Sequence, residues 1–230
     1  MKVIVLLSGG LDSTTIMRIA QDKGYEIYAL TFDYGQKHAV EIEAAKTICK
    51  KYGIMNHTIA KIDIKAIGGS ALTDETLQIR KDGLILKHDP SEENIPLSYV
   101  PARNTIFLSY ALGYAEVIGA SKIFIGVNAV DYSGYPDCRP EYIEKFNELA
   151  KIATAKGVKS ELCINIEAPL LHMSKAAIIA EGQRLGIEYG DTISCYDPDK
   201  TGAACGHCDA CILRLNGFKA NYMKDSSRYQ

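Results

Sequence analysis

The segment SGGLDS at residues 8–13 carries residue types that bind phosphate, and it follows the apolar run Val3–Leu7. Two glycines let bare backbone N–H groups approach an anion, a helix start adds partial positive charge, and two serine hydroxyls donate further hydrogen bonds. A carboxylate at Asp12 would repel phosphate by itself, so its presence favours Mg²⁺ held between carboxylate and phosphate oxygens. The pattern predicts a phosphate site; a glycine-rich turn before a capped helix is the alternative.

Four cysteines near the end of the chain have the spacing of a metal site. Cys195, Cys205, Cys208 and Cys211 are separated by nine, two and two residues, with Gly206 available for the turn. This spacing predicts one structural, tetrahedral zinc ion per chain. An iron–sulfur cluster, a redox-active CxxC pair and ligation by His207 are the alternatives. A closed four-cysteine site has no open position for substrate, so we expect the metal to fasten the C-terminal segment.

Three further polar groups stand where helices are predicted to begin. Arg103 lies in VPARNT, and its guanidinium could bind phosphate or carboxylate. Lys175 is at the start of a later predicted helix, and Gln36 follows the second predicted strand. We take Arg103 and Lys175, with Asp12, as candidate catalytic residues and Gln36 as a nucleotide contact. A solvated helix start is the alternative for each.

The loop at residues 131–140 combines ring side chains with opposite charges. Its candidate substrate-binding residues are Asp131, Tyr135, Asp137 and Arg139. Such a loop could bind a flat heterocycle and its polar edge. The alternative is a surface loop with a capped helix start at Pro140.

The elements that must position these groups alternate between strand and helix. The predicted strands are Val3–Leu7, Glu26–Phe32, Met55–Ile62, Lys122–Val127 and Leu162–Ile166, and the predicted helices include Leu11–Lys23, Glu141–Lys156 and Ser174–Leu185. This order favours an open parallel α/β sheet, in which ligands bind at the carboxyl edge.

Other segments carry less specific signals. Residues 68–100 are interrupted by Gly, Asp, Glu and Pro, and their length favours a functional loop or lid. A helix with the stripe Phe107, Tyr110, Tyr114 and Ile118 is predicted to follow. Cys49 and Cys163 are predicted core thiols.

Composition limits the class of protein. The 230 residues are 47% hydrophobic and 23% charged, and the formal net charge is −2. We expect one sizeable core and no nucleic-acid partner, since a basic field is missing. The first residues do not resemble a signal peptide and the longest uncharged run is too short to span a bilayer, so a cytoplasmic protein with reduced thiols and no membrane partner is expected.

The opening motif resembles the PP-loop of N-type ATP pyrophosphatases, which cleave ATP between the α and β phosphates. The resemblance implies a PP-loop ATPase fold, adenine nucleotide alpha hydrolase-like and Rossmann-like, over residues 1–190, with a zinc-binding segment over 191–230. It also implies that the ATP site comprises Leu7, Ser8, Gly9, Gly10, Leu11, Asp12, Ser13 and Gln36.

Five motifs in order narrow the resemblance. SGGLDS, FDYGQKH, VPARN, NAVDYSGYPDCRP and the four-cysteine segment resemble the 7-cyano-7-deazaguanine synthases of queuosine precursor biosynthesis. That family implies conversion of 7-carboxy-7-deazaguanine, ATP and ammonia into a nitrile through adenylated intermediates, by a homodimer.

Three other functions are alternatives to this family. A tRNA-thiolating PP-loop adenylase would need a cysteine relay and usually a basic RNA-binding region, and the acidic balance disfavours it. A nucleotide-binding protein without turnover would release neither AMP nor pyrophosphate. A glutamine-dependent amidotransferase would need a glutaminase domain, for which the 230 residues leave no room.

Overall fold

The computed structural model describes residues 1–35, 40–74, 76–79, 81–82, 95–130, 134–159 and 163–230. Five parallel strands form one sheet in the order β3-β2-β1-β4-β5. The strands are β1 (Lys2–Leu6), β2 (Glu26–Asp33), β3 (Asn56–Lys61), β4 (Lys122–Phe124) and β5 (Asn165–Glu167). The α-helices are α1 (Leu11–Asp22), α2 (Val40–Lys51), α3 (Arg103–Ile118), α4 (Pro140–Ile152), α5 (Ala155–Val158), α6 (Lys175–Arg184) and α7 (Asp209–Ala220). The open parallel α/β fold predicted from the alternating pattern is confirmed.

Both faces of the central strand are buried, which explains its continuous apolar sequence. Side chains alternate across a strand, so Ile4 faces one layer and Val3 and Val5 face the other. The Ile4 layer includes α3 and α4, and the Val5 layer includes α1, α2, α6 and α7. Strand order reverses at β1, which pairs with β2 on one side and β4 on the other. A ligand crevice is expected at this switch point.

The predicted stripe of α3 is confirmed at Phe107, Tyr114 and Ile118, which are half-buried against the core, and was wrong at Tyr110. Its buried face contains Leu108, Ala111, Leu112 and Ala115, whereas Tyr110 is 45% exposed. Alanines let the helix approach the sheet closely. The aromatic side chains lie along the flank, where Phe107 stacks on Phe32 with ring centroids 4.0 Å apart.

Two other predictions need correction in the second half of the chain. The helix predicted over Glu141–Lys156 divides after Ile152, because the Thr154 hydroxyl caps a new short helix by accepting from Gly157 N at 3.0 Å. Cys163 is exposed and precedes β5, so the core position predicted for it was wrong, whereas Cys49 is buried as predicted.

The C-terminal segment contains a helix that the sequence pattern did not reveal. In α7, Phe218 is buried in the same cluster as Ile178 and Ile179 of α6. Gly217 permits this approach, since a Cβ there would lie 2.7 Å from Ile179 Cδ1. Residues 191–230 therefore share the core of residues 1–190. Within the described part of the chain, no helix is both long and apolar enough to cross a membrane.

Candidate active site and metal centre

The phosphate-type motif forms the turn between β1 and α1. Gly9 has a φ of +81°, and a Cβ there would lie 2.5 Å from the backbone oxygen of Glu41. Only glycine therefore fits between this turn and the start of α2. The Ser8 and Ser13 hydroxyl oxygens are 3.0 Å apart, and Ser13 Oγ donates to Gly10 O at 3.1 Å. These bonds hold both hydroxyls at the mouth of the turn.

The structure brings together two predicted catalytic residues that are far apart in sequence. Lys175 Nζ lies 2.8 Å from each carboxylate oxygen of Asp12. Lys175 is the first residue of α6, whose N-cap Ser174 accepts from Ala177 N at 3.2 Å. The side chain of Lys175 is 8% exposed and that of Asp12 is 21% exposed. The ammonium group therefore neutralises the carboxylate that the sequence places beside a phosphate site.

The turn opens into a cavity of about 250 Å³ at the carboxyl edge of the sheet. Arg103 enters it from the start of α3, with its guanidinium carbon 6.0 Å from the ring centre of Tyr34. Burial, reinforced by the Glu41 carboxylate, raises the pKa of Tyr34 to about 12. Burial likewise raises the pKa of Glu41 to about 7, although Arg103 opposes the shift. Sequence reasoning identified Arg103 here and missed Glu41.

The predicted substrate loop contributes unequally to the cavity. Tyr135 is buried in its lining, and its hydroxyl lies 2.7 Å from Ser98 Oγ. Burial raises its pKa. Arg139 is exposed at the start of α4 and is not among the described lining residues. Asp131 and Gln36 lie outside the described residues.

Asp137 stabilises the helix that presents Arg103. Its carboxylate accepts from Asn104 N at 3.0 Å, and its backbone oxygen accepts from Asn104 Nδ2 at 3.1 Å. The residue before α3, Ala102, has a φ of +52° and no side-chain cap, so Asp137 supplies an acceptor from a distant segment. Burial raises the pKa of Asp137, although Asn104 and Arg103 oppose the shift. Asp137 is absent from the described lining of the cavity.

The four predicted metal ligands form one buried cluster. The sulfur atoms of Cys195, Cys205, Cys208 and Cys211 all lie within 4.8 Å of one another. Tetrahedral zinc, with zinc–sulfur distances of about 2.3 Å, requires sulfur atoms about 3.8 Å apart, close to the 4.0 Å between Cys195 and Cys208. Cys205 N and Cys208 N also donate to neighbouring sulfurs at 3.2 and 3.3 Å. The donor set fits a tetrahedral metal ion.

His207 stands outside this cluster. Its Nδ1 lies 2.6 Å from the Asp82 carboxylate, and its backbone oxygen accepts from Asp82 N at 2.8 Å. Lys81 forms a β-bridge with Cys208 and an ion pair with Asp197. Part of the predicted lid segment is thus attached to the cysteine segment. Leu72 and Ser98 of the same predicted lid line the cavity.

The cysteine segment also forms one wall of the cavity, which sequence reasoning missed. Residues 193–196 line it, and Ile193 N donates to Gly9 O at 2.9 Å. Arg214 supports this wall from α7: it binds Thr192 Oγ1 at 2.7 Å and pairs with Asp225 at 2.7 and 3.0 Å. Both members of this ion pair are 3% exposed. The cysteine cluster and the cavity are therefore neighbouring parts of one structure.

The family-model and sequence comparisons agree on one family. Residues 2–222 match the model for queuosine biosynthesis protein QueC. The 7-cyano-7-deazaguanine synthase of Saccharophagus degradans is 54% identical over 228 residues, covering 99% of this chain and 97% of that protein. The synthase of Kineococcus radiotolerans is 56% identical over 218 residues, covering 94% and 92%. Among solved structures, NMN synthetase from Francisella tularensis aligns with a TM-score of 0.48 and 16% identity, covering 97% of this chain and 77% of that one.

Proposed function

The chain belongs to the family of queuosine biosynthesis protein QueC, and from this membership we propose how its residues convert a carboxylate into a nitrile. The chain is an enzyme of queuosine biosynthesis, and its full-length relatives are named 7-cyano-7-deazaguanine synthases. The proposed reaction uses 7-carboxy-7-deazaguanine, ATP and ammonia. The alternatives, a tRNA-thiolating adenylase and a nucleotide-binding protein without turnover, have no comparable support among these relatives.

The proposed chemistry activates oxygen as a leaving group twice. A carboxylate cannot expel its own oxygen, so its first step is attack on the α-phosphate of ATP, which gives an acyl adenylate and pyrophosphate. Ammonia then displaces AMP and leaves a primary amide. A second adenylation of the amide oxygen makes that oxygen a leaving group, and loss of AMP with the nitrogen-bound protons gives the nitrile.

The contribution of the protein is positioning and charge stabilisation. The turn formed by Leu7–Ser13 would bind the departing pyrophosphate through backbone N–H groups and the Ser8 and Ser13 hydroxyls. Arg103 and Lys175 would stabilise phosphate charge in the transition state. The observation that supports this assignment best is the convergence of the turn, Arg103 and Lys175 on one cavity at the carboxyl edge of the sheet.

Asp12 is suited to hold magnesium because its carboxylate lies at the cavity, 21% exposed, in the turn that would bind phosphate. When bound, Mg²⁺ would neutralise phosphate oxygens, sharing Asp12 with Lys175. Gln36 is proposed as a further nucleotide contact. Tyr135, Asp137, Arg139 and Asp131 are proposed for the deazaguanine; among the described three, Tyr135 has direct support from the cavity lining.

The buried cysteine cluster supports a bound metal, which we propose to be one structural zinc ion. Its role would be to stabilise residues 193–196 as a wall of the cavity. We also propose a cytoplasmic homodimer; light scattering coupled to size-exclusion chromatography tests the dimer.

Product analysis tests the reaction. Purified protein is incubated with 7-carboxy-7-deazaguanine, ATP and either ¹⁵N-ammonium or amide-¹⁵N-glutamine, and the product is analysed by mass spectrometry. We expect a nitrile labelled from ammonium, with AMP and pyrophosphate released and no amide remaining at completion. Efficient labelling from glutamine, or a stable carboxamide with ATP in excess, would contradict the proposal.

A further inference from the structure

The described lining of the cavity contains two carboxylates, Asp12 and Glu41. Asp12 is bound through both oxygens by Lys175 at 2.8 Å. Glu41 is the other carboxylate in the described lining. If ammonium is the nitrogen source, it must lose a proton before it can attack carbon, because its nitrogen has no free electron pair. This proton transfer requires a base near the reacting carbon.

Glu41 is positioned by the phosphate-type turn itself. Its backbone oxygen would lie 2.5 Å from a Cβ at Gly9, so the first turn of α2 is packed directly against the turn of residues 7–13. Its side chain lines the same cavity as Asp12, Tyr34 and Arg103. Arg103 acts electrostatically on the Glu41 carboxylate, which in turn acts on Tyr34, so the carboxylate lies near both of these cavity residues.

The surroundings of Glu41 suit a group that exchanges protons near neutral pH. Burial raises its pKa to about 7, with Arg103 opposing the shift. The other charged, phenolic or thiol groups in the described lining of the cavity are Asp12, Tyr34, Arg103, Tyr135, Cys138, Lys175, Cys195, Tyr196 and Arg214. Tyr34 and Tyr135 have raised pKa values because they are buried, so they stay protonated at neutral pH and cannot accept a proton. Arg103 carries a permanent positive charge and cannot accept one either.

We propose that the Glu41 carboxylate binds the ammonium ion and accepts its proton, delivering ammonia to the adenylated carbonyl carbon. This role rests on the proposed function. The ammonium proton moves to Glu41, the nitrogen lone pair forms the C–N bond, and the bond between the carbon and the AMP oxygen breaks with its electron pair leaving on AMP. The second proton lost from nitrogen goes to solvent, and Glu41 later releases its own. An acyl adenylate and one ammonium ion thus give an amide, AMP and two protons.

Hydroxylamine distinguishes this role from a structural one. It is a weaker base than ammonia and is unprotonated at neutral pH, so it traps an acyl adenylate as a hydroxamate without a general base. Glu41→Gln should lower amide formation from ammonium about 100-fold, in the usual range for removing a general base, while hydroxamate formation stays near the wild-type rate. Raising the pH, which supplies free ammonia, should restore much of the lost rate. Glu41→Asp should retain part of the activity.

The control variant is Glu43→Gln on the same helix, since Glu43 is 69% exposed and pairs with Lys46. It should leave both rates unchanged. Pyrophosphate exchange with 7-carboxy-7-deazaguanine reports adenylation alone. No exchange in the wild type would overturn the proposed function and this inference with it. Normal exchange combined with undiminished use of ammonium in Glu41→Gln, or with equal loss of the amide and hydroxamate reactions, would overturn the role of Glu41 alone.

Discussion

The phosphate-type turn and the cysteine cluster are built in opposite ways. The turn occupies residues 7–13, but the residues that we propose act with it, Arg103 and Lys175, come from distant segments. The cysteine cluster takes all four sulfurs from residues 195–211. Changes in the turn should therefore affect chemistry more than folding, and changes in the C-terminal segment should affect folding more than chemistry.

The two regions nevertheless share a boundary. Ile193 N donates to Gly9 O, and Arg214 binds Thr192, the residue immediately before the wall of the cavity. Loss of the C-terminal structure should consequently abolish activity as well, but only together with unfolding. Variants of the turn should lose activity while they remain folded, whereas variants of the C-terminal segment should lose activity only when they unfold.

The largest effect is expected from Cys208→Ser. Structural zinc in zinc-finger peptides contributes about 10 kcal/mol or more, so loss of one ligand should release the metal and lower the melting temperature or solubility sharply. Metal analysis by mass spectrometry and thermal denaturation measure both. The control is Cys163→Ser, which changes an exposed thiol outside the cluster. Full metal content and an unchanged melting temperature in Cys208→Ser would rule out the site, and iron with sulfide would rule out zinc.

The next effect is expected from Asp225→Asn. It leaves the buried Arg214 guanidinium without its carboxylate, which should reduce the free energy of unfolding by about 3–5 kcal/mol. Urea denaturation measures the loss. The control is Glu188→Gln, which removes a surface partner of Lys51 and should cost less than about 1 kcal/mol. Equal losses in the two variants would refute the special importance of the buried pair.

The buried ion pair of Arg214 and Asp225 should also make the stability of the protein depend on pH. Burial tends to raise the pKa of Asp225, but Arg214 outweighs this and holds the pKa below its usual range. A carboxyl with a lowered folded-state pKa stabilises the protein above its unfolded value of about 3.9, and that contribution disappears as pH falls through the folded value. Asp225→Asn should flatten this part of the acid denaturation curve.

Asp12→Asn tests whether the turn at residues 7–13 is the phosphate site. We expect the rate of pyrophosphate release to fall about 100-fold or more, because the variant removes a charge that we propose acts at the reacting phosphates. It should also lower the melting temperature, since Lys175 is 8% exposed and loses its partner. Adding Lys175→Met should recover stability without recovering activity. Near-normal turnover in folded Asp12→Asn protein would contradict the assignment of the phosphate site.

The smallest effect is expected from Ser174→Ala. Loss of this N-cap should cost about 1 kcal/mol and allow the start of α6, which carries Lys175, to fray. Thr154→Ala removes the cap of α5, away from the cavity, and should cost a similar amount without changing the rate. If the two variants had the same kinetics, Ser174 would have no part in positioning Lys175.

The sequence predicted the features that depend on short spacing. Five strands, their parallel direction and the closeness of the four cysteines all follow from local patterns. The contact between Asp12 and Lys175 was not predicted. The sequence places both residues at helix starts, but it does not show that these two starts meet at the edge of the sheet. Glu41 gave no signal, because a glutamate in the first turn of a helix is typical of any exposed helix.

The errors have physical causes. The stripe predicted for α3 followed its large aromatic side chains, but the fully buried face is the one with Ala111 and Ala115, which allow close packing on the sheet. The helix α7 was missed because Cys208 and Cys211 at its start and Gly217 in its middle weaken the helical pattern of the sequence, whereas Gly217 allows close packing on α6.

The strand order also has a consequence for the chain during its synthesis. β1 pairs with β2 through Val3 and Ile27, but its other edge waits for Lys122 of β4. The first three strands can associate once residue 61 has left the ribosome. One edge of β1 then stays unpaired and apolar until β4 has emerged, when about half of the chain has been made. Nascent chains stalled before β4 should therefore aggregate through β1 unless a chaperone covers it, whereas chains released after β4 close the sheet from within.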